Sequence, residues 1–390
     1  MFKKILQFQI VSIICQAFNI GYSVMIARLL TKLERGVLGE NLLYVTIIFT
    51  VAGFGYNEYI VRAIKDNQPI NIGRLIIIST LTSTLLLIGA SFSGLITISI
   101  TTTILLCILS FFYYYSTLNY QIYWAKGNDL FSYLMRIFSA ILLPVLILLL
   151  FLIHSLNETS VLIAVYISFF IRAIIYFIKN KKEKLIVFSS DAKSNNFNKI
   201  WLNSAATIII AFTFSADKIW ISSIINSENF ATYLIAISIY TPLVELLASA
   251  STVLIAKLNT SDNIFRKVVL LFSIYFFIFV IVGEFFVKII PFVFGNKYQD
   301  AVAIASLFYP YFFLLVCFRI LDYLLRVYKL NQSLISSGLL VLVMGCSLLG
   351  ARMLSLNLTF QNLAILLTTS ILIVVVYQFI MYANYGRKRN

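Results

Sequence analysis

The residues of this chain that could do chemistry are ionisable side chains inside long apolar segments. Asp217 and Lys218 are adjacent in a segment that runs from Trp201 to Ile225. At 1.5 Å per residue, Asp217 lies about 24 Å from the start of that segment and about 12 Å from its end. A charge in hydrocarbon costs about 2.5–3.5 kcal/mol even on the most lenient scale, so it needs a reason to be there. Two reasons stay open: an ion pair between packed helices, or a polar cavity that binds a substrate or a coupling ion.

Two other acidic residues lie inside apolar segments, Glu245 and Glu284. Glu245 follows Pro242, whose missing N–H can open the local helix. Glu284 is within about two turns of the end of its segment, so it can partly reach the interface. Together with Asp217, these two carboxylates are the candidate coupling or gating acids.

The candidate cations for an anionic ligand are Lys218, Arg172, Arg28 and Arg319. Arg172 and Arg319 are close enough to the inner ends of their segments to snorkel, which is the competing interpretation for each. Arg28 ends the first apolar segment on its outer side.

The composition decides what kind of element carries these charges. Of the 390 residues, 61% are hydrophobic and only 12% are charged, whereas soluble domains average about 45–50% apolar and about 25% charged residues. This excludes a water-soluble enzyme and predicts an all-α polytopic membrane protein. Since a spanning helix needs about 20 apolar residues, we predict twelve transmembrane helices. They cover residues 8–27, 41–61, 75–95, 98–124, 130–153, 160–178, 201–225, 230–256, 268–290, 301–321, 333–354 and 362–383.

The distribution of Lys and Arg predicts the orientation of these helices. With twelve spans, 21 basic residues fall on the side of the N-terminus, 6 on the opposite side and 3 within spans. Because cytoplasmic loops carry the excess of Lys and Arg, both termini are predicted to be cytoplasmic. The net charge of +15 is therefore explained by membrane topology, and we expect no nucleic-acid partner.

The longest polar connection, residues 179–200, divides the chain into two halves with six predicted spans each. We predict an N-terminal six-helix bundle at 1–178, a cytoplasmic linker at 179–200 and a C-terminal six-helix bundle at 201–390. Such a halving is typical of duplicated transporters. A faint internal echo supports it, because residues 30–38 and 225–233 follow the first span of each half.

Catalysis is not expected from this sequence. It contains no nucleotide-binding or metalloprotease motif and only one histidine, His154, and its four cysteines are scattered singly in apolar runs. We therefore predict no enzyme activity, no cofactor and no metal site. The predicted fourth span is rich in aromatic residues, among them Tyr113 and Tyr114. We expect most of these to be packing or interfacial residues, and a minority to be able to stack on sugar rings.

Three stretches resemble motifs of polysaccharide-exporter membrane proteins. The first follows the first span and consists of Ala27-Arg28-Leu29-Leu30-Thr31 with Glu34 and Gly36. The second is Asp217-Lys218-Ile219 followed by Asn226 to Tyr233, and the third is Phe294-Gly295-Asn296-Lys297-Tyr298 followed by Ala301. Their order and spacing resemble Wzx-type O-antigen or lipid-linked oligosaccharide flippases, in the multidrug/oligosaccharidyl-lipid/polysaccharide (MOP) exporter superfamily.

The resemblance implies two six-helix bundles around a central cavity that opens alternately to each side. It implies a substrate of undecaprenyl-pyrophosphate-linked glycan units, moved from the cytoplasmic to the periplasmic leaflet of a bacterial inner membrane. It further implies membrane lipids as surroundings, and a polysaccharide polymerase and chain-length regulators as possible partners. On this view Lys218, Arg172, Arg28 and Arg319 would face the phosphates, and Asp217, Glu245 and Glu284 would couple or gate transport.

Two other functions stay open. A drug/cation antiporter of the same superfamily would share the fold, although the buried basic residues favour an anionic lipid. An intramembrane glycan polymerase or ligase would share the hydropathy, but such enzymes usually carry a large periplasmic loop, and the outward loops here are short.

The predicted topology can be tested with reporter fusions. Fusions at Ser190 and Asn390 should report the cytoplasm and a fusion at Asn157 the periplasm, because the basic residues place both termini inside. Paired phosphatase and fluorescent-protein reporters provide the measurement, and each serves as the control of the other. A periplasmic signal at Ser190 would contradict the division into two halves of six spans.

Overall fold

The computed structural model describes residues 2–65, 70–127, 129–182, 215–248, 264–328, 330–353 and 359–387, with single residues at 209 and 212. Every regular element within these ranges is helical. The helices are α1 (Phe2–Leu29), α2 (Lys32–Ala52), α3 (Tyr56–Lys65), α4 (Ile72–Phe92), α5 (Ile100–Ala125), α6 (Asp129–Leu152), α7 (Glu158–Lys182), α8 (215–224), α9 (Ser227–Ile237), α10 (Tyr240–Ala248), α11 (Ile264–Glu284), α12 (Ile290–Phe294), α13 (Ala301–Tyr328), α14 (Leu330–Met353) and α15 (Phe360–Arg387).

Nine helices in the described ranges are long and apolar enough to cross a membrane, or ten when the bent pair α9 and α10 counts as one span. The predicted all-helical polytopic class is confirmed. Most of the predicted seventh span, residues 201–214, lies outside the described residues apart from single positions. The predicted eleventh span corresponds to α14, within which Ile335–Ser347 forms a shorter apolar stretch.

The chain divides into two compact units, and each is built around one helix. The first, which we call the N-unit, comprises Ala17–Ser215, and the second, the C-unit, comprises Met1–Gln16 with Ala216–Asn390. In the N-unit, α5 packs against α3, α4, α6 and α7. In the C-unit, α13 packs against α9, α11, α14 and α15. These two helices are the fourth predicted span of each half. The predicted linker stays a prediction, because residues 183–200 lie outside the described residues.

The internal echo in the sequence corresponds to the same local structure in both units. Thr31 caps α2, and its hydroxyl accepts a hydrogen bond from the backbone N–H of Glu34 while the Glu34 carboxylate accepts one from the Thr31 N–H. At the position 195 residues later, Asn226 caps α9 and accepts from the Asn229 N–H. Side-chain caps satisfy backbone donors that a helix start leaves unpaired, which permits a tight turn between two spans.

The second predicted span is placed wrongly at both ends. We expected it at 41–61, but α2 begins at Lys32 and ends at Ala52, where Gly53–Gly55 break the helix before α3. The early start follows from the capping box at Thr31, which brings Lys32 and Arg35 into the helix. The end follows from the positive φ angles of Phe54 (44°) and Gly55 (61°), which a helix cannot continue through.

The boundary between the third and fourth predicted spans, which no charge marks in the sequence, is set by a buried amide. Asn41, in α2, is buried, and its side-chain oxygen accepts a hydrogen bond from the Thr97 N–H at 3.0 Å. Ser99 then caps α5. The loop between α4 and α5 is therefore held to a neighbouring helix by one side chain.

The described part of the predicted eighth span is bent. The axes of Ser227–Ser238 and Tyr240–Ala248 differ by 41°. Pro242 explains the bend, because its ring has no N–H for the carbonyl of Ser238 and clashes with it. The opening expected at Pro242 thus lies one turn before Glu245.

Candidate functional site

The adjacent pair Asp217 and Lys218 lies in α8, and α9 supplies its closest partner. Asp217 is only 2% exposed, and the Tyr233 hydroxyl donates a hydrogen bond to its Oδ2 at 2.6 Å. The Asn226 cap turns the chain between α8 and α9, so that residues before and after the turn face each other. Burying a carboxylate requires such a donor, because an unpaired charge in a dry environment is very costly.

Lys218 makes a looser contact with the same carboxylate. Its Nζ lies 3.8 Å from Asp217 Oδ1, and its side chain is 28% exposed. That distance allows attraction between the charges but is too long for a hydrogen bond. Asp217 is therefore fixed by Tyr233, and the side chain of Lys218 is partly exposed beside it.

Aromatic rings from α13 enclose this cluster. Phe308 packs edge-on against Tyr233, with the ring centroids 5.2 Å apart, and Tyr311 is 1% exposed beside it. Rings on this side of the carboxylate exclude water and lower the local dielectric, which strengthens the Tyr233–Asp217 hydrogen bond.

A second ion pair joins two of the other candidates. Arg319 of α13 and Glu245 of α10 are 2.6 Å apart, measured from Nη1 to Oε1. The side chain of Glu245 is 47% exposed and that of Arg319 is 19% exposed. The pair lies next to the Pro242 bend, so the orientation of α10 determines whether the two charges meet.

Arg172 has a different environment from the other candidates. Its guanidinium carbon lies 3.8 Å from the centre of the Phe169 ring, and its Nε donates to the Ser168 carbonyl at 3.4 Å. Phe169 in turn packs on Tyr113, with centroids 4.6 Å apart. Arg172 is therefore a cation on an aromatic platform, and among the described residues no carboxylate lies within ion-pairing distance of it.

The last two candidates lie at helix ends. Arg28 is exposed in the last turn of α1, just before the Thr31 capping box. Glu284 is exposed at the last residue of α11. Within the C-unit, the structure thus brings together Asp217 with Lys218 and Glu245 with Arg319. Glu284 ends α11 in the same unit, and Arg172 and Arg28 belong to the N-unit. Within the described ranges, no group of three His, Cys, Asp or Glu side chains could hold a metal ion.

Sequence reasoning assigned no role to Tyr233, although it ends the second motif. The sequence position of Tyr233 indicates this contact. Tyr233 lies seven residues after Asn226, which caps α9, and Asp217 lies nine residues before Asn226. A hydroxyl and a carboxylate at similar distances from a tight turn between antiparallel helices lie at about the same depth.

Comparison with known proteins gives the fold. No protein-family model matches the chain, and no curated protein sequence matches it significantly. The structure is similar to that of a multidrug resistance MATE-family transporter of the MOP superfamily in the outward-facing conformation, with a TM-score of 0.71 and 15% identity over 99% of this chain and 95% of the other. For the inward-facing conformation of such a transporter the TM-score is 0.72, with 14% identity over 98% of each chain.

A third similar structure is a MOP-superfamily transporter from Pyrococcus furiosus, with a TM-score of 0.69 and 14% identity over 99% of this chain and 95% of the other. That protein is described as having a binding pocket of reversed polarity, which suggests a different function for it. The chain therefore has the MATE-like fold of multi-span membrane transporters. At this level of identity the similarity establishes the fold, and the substrate has to be inferred from the site.

The hydrogen bond between Tyr233 and Asp217 can be tested by removing one oxygen atom. Tyr233→Phe should destabilise the protein by about 1.5–3 kcal/mol, because the lost donor served a charged acceptor. Tyr240→Phe is the matched control: Tyr240 is equally buried in the same unit, and its hydroxyl donates to the neutral Ala305 carbonyl at 2.9 Å. That variant should lose only about 0.5–1.5 kcal/mol. Unfolding midpoints in detergent provide the measurement, and equal losses in the two variants would contradict the stronger hydrogen bond to Asp217.

Proposed function

We propose that this chain is a flippase that moves undecaprenyl-pyrophosphate-linked polysaccharide repeat units from the cytoplasmic to the periplasmic leaflet. The MATE-like fold supports a transporter of the MOP superfamily. The three motifs around Thr31, Asp217 and Gly295 support its polysaccharide-exporter branch. The protein would then lie in a bacterial inner membrane with both termini in the cytoplasm. A polysaccharide polymerase and chain-length regulators would use the translocated repeat units.

The observation that carries the proposal is the uncompensated charge of Arg172. Its described partners are a ring face and a backbone carbonyl, neither of which neutralises it. A positive charge inside a spanning helix is costly unless it serves a purpose, and a pyrophosphate group would supply the missing negative charge. Lys218, whose side chain is 28% exposed, is a further candidate cation, although it already has a carboxylate partner in Asp217.

The acids fit an ion-coupled cycle. Asp217 has a single short hydrogen bond and one loose cation, so a change in its protonation would alter both contacts. Glu245 faces Arg319 across the bend at Pro242, where a change of charge would free α10 to reorient. Glu284 is exposed and would act at the end of its helix. We propose these carboxylates as coupling or gating groups, with Asp217 as the principal one.

A drug/cation antiporter is the second candidate, and the fold favours it directly, because two similar structures are multidrug resistance transporters. Such a protein would need a negative site for its cationic substrate. Asp217 is closed off by Tyr233, and Glu245 is paired with Arg319. These two carboxylates are therefore less suited to bind a cation, which supports an anionic substrate, whereas Glu284, exposed at the end of α11, is the acid that a cationic substrate could meet.

Removal of the Arg172 charge should abolish transport. Arg172→Gln keeps much of the side-chain length but cannot attract a pyrophosphate, so surface glycan should fall to the level of a strain that lacks the gene. Arg172→Lys should retain partial activity, because it keeps the charge but loses the planar stack on Phe169. Glycan display is measured per unit of inserted protein, in the organism whose chromosomal copy has been deleted.

Lys181→Gln is the matched control for that prediction, since Lys181 is an exposed cation on the same helix. It should display normal glycan. Normal display in Arg172→Gln would contradict the role of Arg172, and unchanged glycan in the deletion strain together with increased sensitivity to cationic drugs would favour the antiporter.

The Asp217–Lys218 pair distinguishes a transport role from a structural one. Lys218→Ala should abolish surface glycan while leaving the protein inserted, and Asp217→Asn should impair it, because that change keeps the shape but removes the titrating charge. If the two residues only neutralise each other, the double variant Asp217→Ala/Lys218→Ala should recover what each single change loses. Recovery in the double variant, or full activity in both single variants, would leave a structural pair and remove the transport role.

A further inference from the structure

A small pocket lies in the N-unit where the chain breaks between α2 and α3. Its volume is about 60 Å³, and it faces the middle of α5. The residues that line it are Phe49, Thr50, Gly53, Gly55, Asn57, Tyr113, Tyr114, Thr117 and Leu118. None of the candidate residues of the functional site lines this pocket.

The backbone around the pocket is held in an unusual geometry. Phe54, beside it, has a φ of 44°, which is rare for a bulky residue. The Phe49 carbonyl, in the last turn of α2, accepts its helical hydrogen bond from the Gly53 N–H at 3.0 Å and a second one from the Tyr114 hydroxyl at 2.9 Å. A Cβ on Gly53 would lie 3.2 Å from that carbonyl oxygen, so the absence of a side chain at Gly53 relieves the crowding between the two backbone segments. Strained backbone of this kind persists where the surroundings impose it, and it is concentrated at binding sites.

The walls of the pocket select an uncharged ligand. No lining residue carries a charge, so neither a phosphate nor a cationic drug would find a partner inside. The half-buried ring of Tyr113 offers an apolar surface, and the fully buried ring of Phe49 packs behind it, with the centroids 4.9 Å apart. Among the described residues, the hydroxyl of Thr117 and the amide of Asn57 make no hydrogen bond, so both are available to a ligand. Aromatic rings beside spare hydrogen-bonding groups suit the apolar face and hydroxyl edge of a sugar.

The size of the pocket suits a small polar part of a sugar. Its volume is about 60 Å³, and Asn57, which is exposed, lies at its open side. A hydroxymethyl or acetamido substituent fits within this space.

The position of Arg172 indicates which sugar this is. Tyr113 lines the pocket and also packs on Phe169, and the Arg172 guanidinium lies over the other ring, 3.8 Å from its centre. The cation and the pocket are therefore separated by two aromatic rings. In a glycosyl pyrophosphate, the first sugar is bonded directly to the phosphate. We propose that the pocket at the α2–α3 break binds the sugar attached to the pyrophosphate while Arg172 binds the phosphates, an inference that rests on the proposed function.

The test measures binding of two probes by the full-length protein in lipid nanodiscs. The probes are undecaprenyl pyrophosphate and the same lipid carrying one N-acetylglucosamine. The wild type should bind the glycosylated lipid more tightly. Thr117→Val, which replaces the hydroxyl by a methyl group of similar size, and Asn57→Leu should each weaken binding of the glycosylated lipid about five- to tenfold and leave that of the bare lipid unchanged.

Two variants control for indirect effects. Thr117→Ser keeps the hydroxyl, and this variant should bind both lipids like the wild type. Thr369→Val removes an exposed hydroxyl in α15 that bonds only its own helix, and it should change neither affinity. A loss of both lipids in Thr117→Val would mean that the substitution acts through the fold, which overturns the pocket assignment.

The remaining outcomes separate the pocket from the function. Equal affinity of the wild type for both probes, or unchanged binding in both pocket variants, overturns the sugar pocket and leaves the flippase proposal standing. Failure of the wild type to bind either lipid overturns both.

Discussion

Hydrocarbon offers no hydrogen-bond partner, and this constraint governs where the chain can change direction. At several of these points a specific side chain satisfies the backbone: Thr31 and Asn226 cap helix starts, and Asn41 accepts a hydrogen bond from the Thr97 N–H. At the break after α2, the Phe49 carbonyl receives the Tyr114 hydroxyl. Because irregular backbone within a membrane is tolerated only where protein or a cavity covers it, these points are the natural places for binding sites.

The same constraint governs the charges, and the protein meets it in three ways. Asp217 is buried and receives a hydroxyl, Glu245 is matched by Arg319, and Arg172 is covered by an aromatic ring. The first two arrangements balance a negative charge within the protein. The third leaves a net positive charge, and this difference in compensation is the reason that Arg172 carries the proposed phosphate-binding role.

The sequence was sufficient to predict the helical class, because spans of about 20 apolar residues are a direct consequence of bilayer thickness. It also located Asp217, Lys218, Glu245 and Arg172, since charges stand out against apolar surroundings. It could not pair Glu245 with Arg319, which are 74 residues apart and meet only through the packing of α10 and α13. The break at Gly53 was missed for a similar reason: the hydropathy of the segment continues, and only the backbone angles of Phe54 and Gly55 interrupt the helix.

The fold does not by itself decide what is transported, because one architecture can hold binding sites of opposite character. Two of the similar structures are multidrug resistance transporters, and a third is described as having a pocket of reversed polarity. Substrate class must therefore come from a few side chains in a common scaffold. In this chain Asp217 is enclosed and Glu245 is paired, Glu284 is exposed at the end of α11, and the Arg172 guanidinium lies two aromatic rings from an uncharged pocket. A cation near an uncharged pocket is the basis of the proposal for a ligand with an anionic group bonded to a sugar, and the fold itself is equally compatible with a drug/cation antiporter.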